Sequence, residues 1–403
     1  MPGRAFLEGF RVLDVTAALA GPYCTTILSD LGADVVKIEP LAGDPMRARM
    51  GDGTGLSLPF ATIHRNKRSL AVDLKTGEGR ALVARLAEES DVLVENFRPG
   101  ALQKLGLGYD DLRPTCPDLV YCSISGFGQT GPKRHLKGLD LISQAYGGLM
   151  SVTGSIDGEI AKAGYPVSDL GSGMWGAIGI LGALVRAQAG LGGGYVDVAL
   201  SDTIASWSVW EVSEFVATGE VPGPLGTAHR LAAPYQGFEC RDGATLVLGA
   251  VDRLWPWLLE LLDLVGLDED PRFASEYDRF RNREALAEVL GERFKTASRD
   301  EWVERLVAIG IPCGPVKTID EIVDDEQFEA RGMFVHDPER LGYATLVNTP
   351  VVSDGAPRIR ARAPRLGENT VEILRDAGYD DNAIRQLIDD NVIGATAPTE
   401  APA

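Results

Sequence analysis

In the stretch GYPVSDLGSGMWGAIGILGALVRAQ (164–188) one carboxylate, Asp169, stands among glycines and serines at the entrance of a long run of small apolar residues. Two roles fit it. With Ser168 beside it, Asp169 can be the N-cap of a helix running from about Gly171 to Gln188, taking up amides that open the helix. The same place suits a nucleophile. Helix amides and the helix dipole favour an ionised carboxylate and lower its pKa. Gly171 and Gly173 leave room for a substrate near the backbone, whose N–H groups can hold an oxyanion. A carboxylate so placed can attack an acyl group.

Basic residues gather where strands are expected to end. HRNKRS (64–69) carries Arg65, Lys67 and Arg68; NFRPGALQKLG (96–106) carries Arg98 and Lys104; PKRHLKG (132–138) carries Lys133, Arg134 and Lys137; Arg47 and Arg49 follow the second strand. Lysine and arginine ordinarily sit as solvated surface charge. Three clusters on successive loops, in a chain of net charge −19, also fit a multiply phosphorylated ligand, which needs several charge-assisted donors.

Other signatures fail. Gly126-Phe-Gly128-Gln-Thr-Gly131 matches the dinucleotide glycine pattern, but Pro132, Lys133 and Arg134 follow it instead of a helix, so it reads as a glycine-rich turn. Pro132 likewise breaks a phosphate-binding loop of the ATPase type, and no G-x-S-x-G elbow occurs. The four histidines, His64, His135, His229 and His336, are not paired at metal-ligand spacing, and the five cysteines are scattered without a CxxC pair. No metal, disulfide framework or permanent cofactor is expected, and reduced thiols point to the cytoplasm.

The elements that must position these residues follow from periodicity. FRVLDV (10–15), DVVKIEP (34–40), RSLAVDLK (68–75), DVLVENF (91–97) and DLVYCSISGFG (118–128) read as strands, with helices over 21–33 and from Thr76 onward. The alternation predicts an α/β fold: a Rossmann-like large domain with a mostly parallel sheet, whose ligands bind at the carboxyl ends of strands, where Asn96, Phe97 and Ser125 lie. A glycine- and proline-rich linker over 216–236 leads to a smaller α+β domain. We therefore expect a large domain over 1–215 completed by 331–393, a linker and small domain over 216–330, and a disordered tail over 394–403. The chain's 403 residues and 45% hydrophobic content allow two cores, and its acidity excludes nucleic acid and anionic lipid as partners. No stretch is expected to span a membrane.

Several long blocks resemble the class III CoA-transferases, the family of formyl-CoA transferase and carnitine CoA-transferase. They are RVLDVTAALAGPYCTTILSDLGADVVKIEP, NKRSLAVDLK, VENFRPGAL, KGLDLISQAYGGLMSVTG, DLGSGMWGAIGILGAL and APRLGENTVEIL, in order along nearly the whole chain. The resemblance implies that Asp169 is the nucleophile, forming first an anhydride with the acyl group of an acyl-CoA and then an aspartyl-CoA thioester. It implies that coenzyme A, present as substrate, contacts Leu19, Ala20, Val72, Asp73, Leu74, Lys75, Asn96, Phe97, Arg98, Lys104, Lys137, Gly138, Leu139 and Asp140. It implies an interlocked homodimer.

The sequence departs from formyl-CoA transferase at Leu19, where that enzyme has glutamine, and over GPLGTAHRLAAPYQ (223–236), which lacks its run of glycines. Relatives with this kind of loop take dicarboxylic acids with succinyl-CoA as donor, which sets the expected substrates. His229 in that loop faces the acceptor or makes a local hydrogen bond. An α-methylacyl-CoA racemase, the alternative on the same fold, needs a histidine where Gly138-Leu139-Asp140 has leucine, and leucine moves no proton. A CoA-binding protein without catalysis would not require Asp169.

Overall fold

The computed structural model describes residues 5–49, 57–341, 345–352 and 358–395. The chain divides into two compact units: one made of 1–149, 162–208 and 327–403, the other of 150–161 and 209–326. Segments 150–161 and 209–215, expected in the larger unit, cluster with the smaller. The expected linker, whose first residues finish helix Val209–Thr218, clusters there as well, while 327–330, expected in the small domain, belong to the larger unit.

The larger unit is built on strands β1 (Arg11–Val15), β2 (Asp34–Glu39), β3 (Lys67–Val72), β4 (Val92–Glu95), β5 (Val120–Ser125), β6 (Gly194–Ala199) and β7 (Ile393–Gly394). Their order in the sheet is β7-β3-β2-β1-β4-β5-β6, parallel throughout except for β7. The order reverses between β1 and β4, the place where open α/β sheets form a ligand crevice. The central strands are mostly apolar because helices cover both faces, with Asp14, Lys37 and Glu39 as buried exceptions. Leu13, Val15, Ile38, Leu70 and Leu93 pack on one side with helices α2 (Gly77–Glu88), α6 (Thr370–Asp376) and α7 (Asp381–Asp389). Their neighbours Val12, Val35, Val92, Val94 and Ile124 face the opposite side, against α1 (Ala20–Asp30) and α4 (Val167–Gln188). Thr76 caps α2, its hydroxyl accepting from the Gly79 amide at 3.0 Å. Between them lie α3 (Asp140–Tyr146), before α4, and α5 (Leu200–Ser206), after β6.

The expected disordered tail begins inside β7 at Gly394; its residues 396–403 lie outside those described. One helix is longer and more apolar than the sequence reading allowed. By length and composition the 22 residues of α4 suffice to cross a bilayer. Their apolarity has a use within the fold, since Ala177, Ile180 and Leu184 enter the sheet core, while Met174, Trp175, Ile178 and Val185 are exposed.

The smaller unit carries a three-stranded antiparallel sheet, Tyr235–Glu239, Thr245–Gly249 and Cys313–Pro315. Helices Trp255–Leu261, Arg283–Phe294 and Arg299–Ala308 cover it through Leu258, Leu290, Phe294 and Trp302.

Candidate active site

Asp169 does not cap its helix. Helix α4 starts at Val167 with Pro166 at the N-cap position, so Asp169 lies in the first turn. Asp140, at the start of α3, holds that turn. Its Oδ1 accepts from the Ser168 amide at 3.0 Å and from the Ser168 hydroxyl at 2.9 Å. Its Oδ2 accepts from Gln144 Nε2 at 2.7 Å, and Gln144 Oε1 accepts the Ala163 amide at 2.9 Å. The Asp140 side chain, expected to contact coenzyme A, is thus engaged with the turn that carries Asp169.

Half-buried Asp169 accepts no side-chain hydrogen bond among the described residues. Burial, and then the charge of Asp140, push its pKa up to about 7. The expected lowering by the helix start is overturned, because desolvation and a like charge both disfavour the carboxylate. The glycines also differ from expectation. A Cβ on Gly171 would lie 2.5 Å from the Trp207 ring, and one on Gly173 would lie 2.8 Å from the Ala20 carbonyl oxygen. The space beside these glycines is occupied by α5's following tryptophan and by α1, so they serve close packing and not substrate entry.

The expected contacts fall into groups. Val72, Asp73, Leu74, Lys75 and Phe97 line one cavity of about 390 Å³ at the carboxyl ends of β1 to β4, together with Thr16, Ala17, Lys37, Glu39 and Asp44. Among the described residues its lining does not include Asp169, Leu19, Ala20, Arg98, Lys104 or 137–140. Arg98, Lys104 and Lys137 are exposed and form no ion pair among the described residues. Gly138 packs backbone to backbone on Gly126: a Cβ on Gly138 would lie 2.2 Å from the Gly126 Cα. The glycine-rich turn thereby brings 137–140 to the end of β5. Leu139 is exposed, and Leu19 precedes α1, which starts at Ala20. Asn96 has its amide bonded to Ala17 at both ends.

The basic cluster at 64–69 is not available to a phosphate. Arg65 pairs with Asp30, Arg68 with Asp34, Glu372 and Asp376, and fully buried Lys67 with Asp14 at 2.9 Å. Arg47 pairs with Glu39. Burial pushes the Asp14 carboxyl up, but Lys67, Lys37 and the Thr16 and Thr25 hydroxyls together hold it at about 2. Burial also brings Lys67 down to about 8 despite Asp14. Sequence reasoning missed this buried network. An aspartate inside the apolar run of β1 (Asp14) and a lysine at the start of the apolar β3 (Lys67) are the signal that can reveal such a pair.

In the smaller unit, His229 Nδ1 accepts the Leu231 amide at 3.2 Å, and its ring stacks on Tyr235 at 4.6 Å. This is the local arrangement among the two expected for it.

The family model for CoA-transferase family III matches residues 7–370. The chain belongs to CoA-transferase family III. As a member it is a CoA-transferase, and acyl-CoA is its substrate class. It is 37% identical over 401 residues to the succinyl-CoA:mesaconate CoA-transferase of Haloarcula marismortui, covering 95% of this chain and 99% of that one. It is 33% identical over 393 residues to the human succinyl-CoA:glutarate CoA-transferase, covering 96% and 90%. Among solved structures, a CAIB/BAIF family protein from Brucella suis superposes with a TM-score of 0.82 at 37% identity, over 93% of this chain and all of that one. The transferase's fold is therefore shared with experimentally determined members along nearly its whole length.

Proposed function

We propose that this transferase moves CoA from succinyl-CoA to a second dicarboxylic acid, with Asp169 as the covalent carrier. The observation that carries the reading is the Asp169 carboxylate itself: half-buried, without a hydrogen bond among the described residues, and near its titration midpoint at neutral pH. A desolvated carboxylate without donors is a better nucleophile than a solvated one. The dicarboxylic substrates are supported by the names of the relatives, which act on mesaconate and glutarate with succinyl-CoA.

In this reading an Asp169 oxygen attacks the thioester carbonyl of succinyl-CoA. The C–S bond breaks, and the thiolate leaves an aspartyl–succinyl anhydride. The thiolate then attacks the Asp169 carbonyl and expels succinate, giving aspartyl-CoA. The acceptor carboxylate attacks that thioester, releasing the thiolate and forming a second anhydride. Thiolate attack on the acceptor's acyl carbon yields the new acyl-CoA and restores Asp169. Each thioester broken is matched by one formed, so the exchange requires no external energy source.

The cavity lined by Val72–Lys75 and Phe97 accepts part of coenzyme A, and the free cations Arg98, Lys104 and Lys137 meet its phosphates. Leu19, Ala20, Gly138 and Leu139 contribute main-chain contacts. The exposed face of α4 supports a homodimer, because Met174, Trp175 and Ile178 form an apolar strip that a second copy can cover. The reading includes no nucleic-acid or membrane partner, consistent with a net charge of −19, and places the protein in the cytoplasm, as its cysteine usage suggests.

The test is intact-mass measurement after succinyl-CoA and then hydroxylamine. The expected product is a hydroxamate mapped to Asp169, absent from Asp169→Asn. A wild-type enzyme that exchanges CoA between acids while never yielding that adduct would sink the reading.

A further inference from the structure

Strands β1 and β4 lie side by side where the strand order reverses, with Val15 opposite Glu95. The turn leaving β1 is tied down there by side chains. Asn96 Oδ1 accepts the Ala17 amide at 2.9 Å, and Asn96 Nδ2 donates to the Ala17 carbonyl at 2.7 Å. The Thr16 amide donates to Asp14 Oδ1 at 3.1 Å, and the Thr16 carbonyl accepts from Lys37 Nζ at 3.0 Å. Four consecutive backbone polar groups are thus taken by side chains of β1, β2 and the residue that follows β4.

In dinucleotide-binding folds the amides of this first strand-to-helix turn receive a phosphate. Here the amides of Thr16 and Ala17 are already bonded within the protein. The next residue, Ala18, has φ of 64°, a left-handed conformation that a residue with a Cβ adopts only when its surroundings impose it. Helix α1 then starts and folds back tightly. A Cβ on Gly21 would lie 2.5 Å from Thr16 Cγ2 and 3.1 Å from Asn96 Cγ.

The first turn of α1 is also what α4 rests on. A Cβ on Gly173 would lie 2.8 Å from the Ala20 carbonyl oxygen and 3.1 Å from the Cys24 amide nitrogen. Gly173 stands one helical turn after Asp169 on α4, so the contact bears directly on the Asp169 turn. We infer that Asn96 is a positioning residue: by gripping Ala17 across the β1–β4 junction it fixes the first turn of α1, against which α4 sets the place of Asp169. The inference rests on Asp169 being the nucleophile. It gives the Asn96 amide a role other than contact with coenzyme A.

Asn96→Asp and Asn96→Ala test it in the full-length enzyme. The aspartate keeps the acceptor for the Ala17 amide but sets an oxygen against the Ala17 carbonyl. Two readouts are needed: single-turnover acylation of Asp169 by succinyl-CoA, and amide hydrogen exchange of peptides covering 15–22 and 167–175. Both variants are expected to exchange faster in both segments, and to lose about tenfold or more in the saturated acylation rate, as small misplacements of a reacting group do. The half-saturating succinyl-CoA concentration is expected to stay within about threefold, since uniform binding is untouched.

A half-saturation raised tenfold at an unchanged saturated rate makes Asn96 a CoA ligand and overturns the inference. So does unchanged exchange over 167–175. If the alanine variant does not fold, the near-isosteric aspartate decides. If the wild-type enzyme forms no adduct at Asp169, the proposed function falls, while the exchange measurement still judges the clamp.

Discussion

Asp169 combines two demands that pull against each other. Catalysis in the proposed reading uses the ionised form, while burial and Asp140 favour the neutral one and place the pKa at about 7. The wild-type acylation rate is expected to fall about tenfold for each pH unit below 7 and to level off above 8, measured by single-turnover mass spectrometry. Stability carries the same signature with a definite sign. Between the ordinary carboxylate range and pH 7 the folded state holds a proton that the unfolded state has lost. Folding therefore weakens as pH rises through that window. Asp169→Asn removes this penalty, so it should melt above wild type at pH 8 and together with it at pH 4, while losing the adduct. The residue type and its neighbourhood were legible in the sequence; its helical position was not. Ser168-Asp169 has the composition of a cap, yet Pro166 in GYPVSD is what sets the helix start, and Asp140, which grips Ser168, lies too far along the chain for local patterns to expose.

Among elements, the parallel strands were readable because burial on both faces makes them rich in Val, Leu and Ile, broken only by a few charged residues such as Asp14 and Lys37. The helices α1 and α2 were readable from spacing and from the Thr76 cap. What misled was charge. Arg65, Lys67 and Arg68 resemble a phosphate site when read in sequence, but their partners Asp30, Asp14 and Asp34 belong to β1, β2 and the end of α1. A local pattern of cations says nothing about anions that the sheet sets beside them. Lys67→Met tests the difference. It leaves Asp14 buried without its nearest counter-charge and is expected to cost roughly 3–5 kcal/mol, read from urea unfolding. Loss of stability of that size would be absent if Lys67 were a solvated ligand-binding cation, which would instead raise the KM for acyl-CoA.

For the molecule as a whole, the sequence did not reveal that 150–161 and 209–215 join the smaller unit, since neither stretch announces its contacts. The apolar strip on α4 was also invisible: in sequence, Met174, Trp175 and Ile178 look like core. In the proposed homodimer this strip is buried. Light scattering is expected to give twice the chain mass for wild type and a shift toward one chain for the double variant Trp175→Glu with Ile178→Asp. An unchanged mass would remove α4 from the interface.

The antiparallel strand β7 has a consequence for synthesis. It supplies the neighbour of β3 from the far end of the described chain, with the whole smaller unit encoded in between. A nascent chain therefore carries β3 with its outer amides and carbonyls bare until Asn369, Thr370 and residues 392–394, which cover them, emerge from the ribosome. Such an uncovered rim invites pairing with other chains. The growing polypeptide has to be shielded through most of translation, and a product truncated before Asn369 keeps that sticky rim for good.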